Sequence, residues 1–181
     1  MITKSEIEKD IEGQGNFVKI DHLNRFLKQD LSMDVKRFVF LKLADIYEST
    51  GMPRDAAKMY NNAGLVSITF RDKAKYFTKE TEMYVAAGDF ESADDAMKKA
   101  LSQVNSAEKE NILSGIKDVY RKEAEACEKN LRRGQAIRFY EHLARMRLSD
   151  NEREKVKEKL LNLYDKTGNI RKAKLLKGGL D

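Results

Sequence analysis

A spacing of 37 residues runs through most of this chain. Tyr47 and Tyr84 stand 37 apart, as do Gly51 and Gly88, Ala56 and Ala93, and Ala63 and Ala100. The same offset takes Phe40 to Phe77 and Tyr60 to Met97. Near the C-terminus Tyr164, Gly168 and Ala173 repeat the pattern, and Ile11, Gly15, Ile20 and Leu27 carry a weaker version near the N-terminus. A step of 37 back from Tyr164 reaches Cys127, and from Ala173 it reaches Ala136. Leu131 stands where that unit's turn glycine is due. Ala93 and Ala136 lie 43 apart, so this fourth unit holds about six extra residues upstream. A fixed period of this length means one supersecondary unit stacked on copies of itself.

Each unit reads as two amphipathic helices around a glycine turn. Phe40, Leu43, Ala44 and Tyr47 recur at steps of three and four, which puts them on one helical face. Gly51 supplies a left-handed helix stop, and Pro53, the only proline, suits the first turn of the next helix. Asn16, Asp89 and Asn169 each follow a glycine, as N-caps for the second helix of their units. Ala56, Ala93, Ala136 and Ala173 are small enough to let paired helices approach closely. The pattern predicts ten helices in five pairs, near 3–13 and 17–29, 34–50 and 53–64, 70–87 and 90–104, 107–130 and 133–147, and 152–167 and 170–177. Residues 65–70 read as a linker or helix extension. The expected core is Phe40, Leu43, Tyr47, Ala56, Tyr60, Phe77, Tyr84, Ala93, Met97, Cys127, Ala136, Tyr140, Leu161, Tyr164 and Ala173.

The order Tyr47, Gly51, Ala56, Tyr60, Ala63 resembles the tetratricopeptide repeat. Tyr84, Gly88, Ala93, Met97 and Ala100 match with one replacement, and Tyr164, Gly168 and Ala173 match as far as the chain runs. The period departs from the family's usual 34, and the closing proline is missing, which also fits a related helical-hairpin array. The resemblance implies an all-α fold, an α-α superhelix of about five helix pairs. It implies a single domain over 1–181, with units near 1–36, 37–73, 74–110, 111–153 and 154–181. It specifies a fold and is silent on function.

The residues that carry chemistry are few. Cys127 is the only cysteine, which excludes an internal disulfide and suits a reducing compartment. It falls at the phase of the repeat tyrosines, so a buried thiol is expected rather than a nucleophile. His22 and His142, the only histidines, belong to no spaced ligand motif and read as surface residues. Gly13-Gln-Gly15 lacks the Lys-Ser/Thr of a phosphate loop and reads as a turn. No cofactor and no metal is expected, and an enzyme is not. The chain opens with charges where a signal peptide needs apolar residues. Its longest charge-free run, Met59 to Phe70, is twelve residues, too short to span a bilayer. The expected setting is cytoplasmic, without membrane insertion.

The expected role is a scaffold that holds a partner protein or peptide on a concave face built by the first helices. By the family's geometry this face carries the residues ten and six before each turn: Leu41 and Asp45, Thr78 and Glu82, Arg121 and Glu125, Glu158 and Asn162. Family members that clamp a C-terminal carboxylate use Lys and Asn at these phases, and only Asn162 fits. Lys42, Lys79, Lys122 and Lys159 share a further phase, and in the first three of these units an acid follows three residues later. Intrahelical ion pairs account for such a ladder; a mixed-charge groove is the functional alternative. The charge is also uneven. Residues 1–110 hold 17 Lys/Arg against 19 Asp/Glu, a net of −2, and residues 111–181 hold 18 against 11, a net of +7. A patch including Arg132, Arg133 and Arg138 makes nucleic-acid association the second reading.

Overall fold

A computed structural model describes residues 2–178 of the chain. Ten helices follow one another, and no strand occurs among the described residues: α1 (Lys4–Ile11), α2 (Asn16–Leu27), α3 (Met33–Ser49), α4 (Pro53–Leu65), α5 (Phe70–Ala86), α6 (Phe90–Leu101), α7 (Ser106–Lys129), α8 (Arg133–Arg145), α9 (Asp150–Lys166) and α10 (Ile170–Gly178). These are the ten expected helices in their five pairs. Leu65 closes α4 and Phe70 opens α5, so only four residues of the ambiguous stretch form the connection. The helices fall into two compact units that meet between Ile112 and Leu113, inside α7.

Four of the five hairpin turns share one hydrogen-bond register. After α3, the Met52 N–H donates to Tyr47 O at 2.8 Å and the Gly51 N–H to Glu48 O at 3.1 Å. The same pair of bonds runs from Asp89 to Tyr84 and Gly88 to Val85, from Arg132 to Cys127 and Leu131 to Glu128, and from Asn169 to Tyr164 and Gly168 to Asp165. This closure needs a left-handed residue between the helices, and Gly51, Gly88 and Gly168 supply it at φ 72°, 67° and 69°. Leu131 supplies it at φ 58° without the glycine's freedom. The Tyr-to-Gly spacing of the repeat is thus the spacing of the carbonyl that accepts and the residue that reverses the chain. Asp89 and Asn169 cap as expected. The first turn differs: Gly13 holds the positive φ of 70°. Gly15 is the N-cap of α2, and Asn16 is its first residue rather than its cap.

In unit 1, α1 to α6 pack in sequence order, each against the next. Val35, Val39 and Leu43 form the buried line of α3, and close on Ile7, Ile11 and Leu23 of the first pair. Ala56, Ala57 and Ala63 on α4 are fully buried, as are Ala96 and Ala100 on α6. Gly64 belongs with them. A Cβ there would lie 2.6 Å from Cε1 of Phe77, so its missing side chain is what lets α5 come so near α4. In unit 2 the rest of α7 packs on α8 through Tyr120, whose ring stacks on His142 at 4.9 Å and meets Phe139 edge-on at 6.4 Å. Val156, Leu160 and Leu163 bring α9 onto α8, and Ala173 brings α10 onto α9.

Ten of the fifteen expected core residues are buried; Phe40, Tyr47, Tyr84, Met97 and Leu161 are half-buried. Phe40 and Leu161 each sit one residue past the centre of their helix's buried line, which runs through Val39 and Leu160. The extra residues of the fourth unit lengthen α7 to 24 residues, against 17 in α3, α5 and α9.

Candidate functional site

Six of the eight residues ten and six before the turns of the second to fifth hairpins fall on two clefts, one in each unit. In unit 1, Thr78, Lys79 and Glu82 line a cleft of about 510 Å³ with Phe70, Ala74, Val104 and Ile112. The Thr78 hydroxyl donates to Ala74 O at 2.8 Å, and Lys79 pairs with Glu82 at 2.6 Å. Leu41, Lys42 and Asp45 stand apart from this cleft. Leu41 packs on the cluster of Ala44, Tyr60, Ala63 and Tyr76. Lys42 reaches Glu8 of α1 at 3.0 Å and lies 5.2 Å from the Phe38 ring centre. Asp45 is exposed, though partial desolvation and the Glu48 charge push its pKa up.

In unit 2, Arg121, Glu125, Glu158, Lys159 and Asn162 line a cleft of about 820 Å³. Glu152 organises one wall of it. It accepts from the Ser149 N–H at 2.8 Å in the capping box of α9, from Arg121 at 2.7 Å and from Lys117 at 3.2 Å. The capping N–H leads these effects and holds its carboxyl at about 2. On the other wall Glu128 accepts from the Tyr140 hydroxyl at 2.7 Å and from Lys159 at 3.0 Å. Lys122 is exposed and lines neither cleft. Of the intrahelical Lys–acid pairs expected three residues apart, Lys79–Glu82 forms; Lys42 turns to Glu8 instead. Arg132, Arg133 and Arg138 are exposed around the start of α8 and belong to neither cleft.

The buried carboxylate of unit 1 was not singled out from the sequence. Glu80 is only 4% exposed. Both its oxygens lie 2.7 Å from Lys99 Nζ, which also donates to Asn61 Oδ1 at 2.7 Å and sits 5.1 Å from the Phe77 ring centre. The triad ties α4, α5 and α6 together. Burial pushes the Glu80 carboxyl up against the opposing pull of Lys99. A signal existed: Glu80 follows Phe77 by three and Tyr76 by four, which places it on the buried face. A second pattern also escaped. Tyr60 donates to Glu48 at 2.9 Å and Tyr140 to Glu128 at 2.7 Å, at one repeat phase. The third unit replaces this pair with Met97 and Val85, losing donor and acceptor together.

Cys127 is a buried free thiol whose pKa desolvation raises. His22 faces Asp10 at 2.7 Å across α1 and α2. Among the described residues no group of three or more His, Cys, Asp or Glu is placed to hold a metal ion, and no helix is long and apolar enough to cross a membrane. The geometry defines a helical-hairpin repeat protein with two side-chain-lined clefts.

No family model matches the chain, and no curated protein matches it. Solved structures do match. One, titled "Crystal structure of MamA", aligns over 93% of this chain and 86% of its own, with 16% identity and a TM-score of 0.42.

Proposed function

We propose that this chain is a non-enzymatic interaction module of tetratricopeptide-like type, holding a partner protein or peptide along the faces of its first helices. One observation carries the reading. Positions chosen by repeat phase alone converge on clefts, Thr78 and Glu82 in unit 1, and Arg121, Glu125, Glu158 and Asn162 in unit 2. The cores beneath are made by other residues, so several of these side chains are left for recognition. Charges of both signs line both clefts, which suits a polar segment. The buried thiol of Cys127 suits a reducing compartment such as the cytoplasm.

The test is affinity purification from the native cell, followed by direct binding of the recovered protein to variants. Arg121 is a poor site for reversal because it holds Glu152. Glu125→Lys is better: retained folding with lost binding supports the reading. Steeply salt-dependent RNA binding, abolished by Arg132→Glu with Arg133→Glu and Arg138→Glu and indifferent to Glu125→Lys, overturns it.

A further inference from the structure

The unit 1 cleft has an apolar floor, and the cations on its rim outnumber the acids, Arg71, Lys75 and Lys79 against Glu82 and Glu108. Phe70, the first residue of α5, is 69% exposed. Ala74 follows one turn later, and Val104 and Ile112 bring apolar side chains from beyond α6 and from α7. Exposing a phenylalanine ring at a helix start gains the fold nothing. Thr69, one residue earlier, already caps α5 by accepting from the Asp72 N–H at 3.0 Å. On the rim, Arg71 and Lys75 are spaced i, i+4 on α5, each one residue past a floor residue. Among the described residues neither has a carboxylate partner; Lys75 meets only the Tyr76 ring, 5.6 Å to its centre. The cleft's two acids are already engaged. Glu82 is held by Lys79 at 2.6 Å, and Glu108 accepts from the Asn105 N–H at 3.3 Å in the turn before α7. With Lys79 and Glu82 paired, Arg71 and Lys75 outweigh the charge of Glu108, and the cleft presents a net positive rim beside an apolar floor.

We infer that this cleft takes an acidic amphipathic peptide segment, its apolar side chains seated between Phe70, Ala74, Val104 and Ile112 and its carboxylates on Arg71 and Lys75. The assignment rests on the interaction-module reading and names the partner chemistry for one of its two clefts. A cleft of about 510 Å³ is of ligand-binding size. An apolar stripe at i, i+3 and i+4 with acids alongside is the pattern that a floor and rim on one helix can read. Charge complementarity selects the acidic version, because a basic segment would set its cations against Arg71 and Lys75.

The probe is a fluorescent peptide of about twelve residues with Leu and Phe at that spacing and Glu elsewhere. Its twin carries Lys for every Glu. Anisotropy with the full chain should show saturable binding of the acidic peptide, and at least about tenfold weaker binding of the basic twin. Arg71→Glu with Lys75→Glu should weaken the acidic peptide about tenfold, and so should Phe70→Ser. Lys19→Glu on α2, outside the cleft, should leave it unchanged. All these positions except the half-buried Lys19 are exposed, and an unchanged helical circular dichroism spectrum confirms the fold. Equal affinity for the two peptides, indifference to the Arg71/Lys75 pair, or no saturable binding overturns the assignment. So does self-association of the chain that Phe70→Ser abolishes, because the floor then belongs to a second copy. If the probe fails while a native partner binds and is lost on Glu125→Lys, the acidic-segment assignment falls alone and the module reading stands.

Discussion

The two units build the same hairpin but place a bridging carboxylate differently, buried at Glu80 and near the surface at Glu128, Glu141 and Glu152. In unit 1 small residues bring the backbones together: Gly64 leaves the room that Phe77 fills, and alanines line α4 and α6. A carboxylate caught in such packing is out of water and must find its cation inside, as Glu80 finds Lys99. In unit 2 the rings of Tyr120, Phe139 and His142 fill the space between α7 and α8. There the bridging carboxylates stay at the rim. Glu128, Glu141 and Glu152 each take a lysine from another helix, and their ionised forms are favoured. At Glu80 burial outweighs the cation and raises the carboxyl's pKa; at Glu128, Glu141 and Glu152 the hydrogen bonds and cations together outweigh desolvation and lower it.

The most direct way to break this comparison is to remove the cation from the buried pair. Lys99→Ala leaves Glu80 desolvated and unpaired, and should cost about 3 kcal/mol at neutral pH. The folded state already binds the Glu80 proton more tightly than the unfolded chain does. Stability from this group therefore falls as pH rises above about 4.5, and the cost of Lys99→Ala should shrink as pH is lowered toward that value. Urea unfolding at pH 7 and pH 5 measures both. A cost that does not change with pH would mean that Glu80 is reached by water.

Gly64→Ala tests the close approach itself. The new methyl would press on a ring that is only 5% exposed. Overpacking costs about 1–3 kcal/mol, offset in part by the roughly 1 kcal/mol that alanine gains in a helix. The net should be a loss of about 1–2 kcal/mol. Ala93→Leu, where Ala93 is 1% exposed, should cost a similar amount. A raised unfolding midpoint for Gly64→Ala would show that α4 and α5 have slack between them.

The helices and their turns were legible because each hairpin carries its own instructions in local residues. The glycine at C′, the aromatic four before it and the alanine five after it all act within one unit. Legibility failed where the partner lies in another helix and leaves no periodic mark. Asn61 and Lys99 are 38 residues apart and Glu80 stands between them. The first turn misled because its left-handed residue, Gly13, lies two before the glycine that the weak repeat picked out. The cleft positions could be chosen by phase, yet Phe70, Arg71 and Lys75 could not, since they lie near the helix start, where the repeat skeleton has no fixed residue.

Acid should separate the two units. Glu152 titrates near 2 when folded and near 4.5 when not. Its contribution is complete above about 4.5 and is lost as pH falls toward 2. Solvent screening at this partly exposed site limits it to about 1 kcal/mol. Glu128 and Glu141 shift in the same direction, while Glu80 shifts in the opposite one. Amide NMR between pH 6 and pH 3 should show signals of α8 and α9 losing dispersion before those of α4 and α5. Glu152→Gln should remove part of the difference. Simultaneous loss in both units would show that the contrast in charge has no energetic consequence.

The smallest effect isolates a single backbone angle. Leu131 holds φ 58° in the turn where three other hairpins have glycine, and its side chain is 75% exposed. An L-residue pays about 1–2 kcal/mol for this conformation, and glycine pays roughly 0.5–1 kcal/mol in chain entropy to enter it. Leu131→Gly should therefore stabilise unit 2 by about 0.5–1 kcal/mol. Gly88→Leu should cost unit 1 a similar amount, because a Cβ at Gly88 meets open space and only the angle is strained. Leu131→Ala should change little, since alanine carries the same left-handed penalty. Urea midpoints for the three variants measure the set. Matching gain and loss would place the difference between these turns in one residue rather than in its surroundings. A fall in stability for Leu131→Gly would mean that the exposed leucine makes a contact worth more than its strained backbone costs.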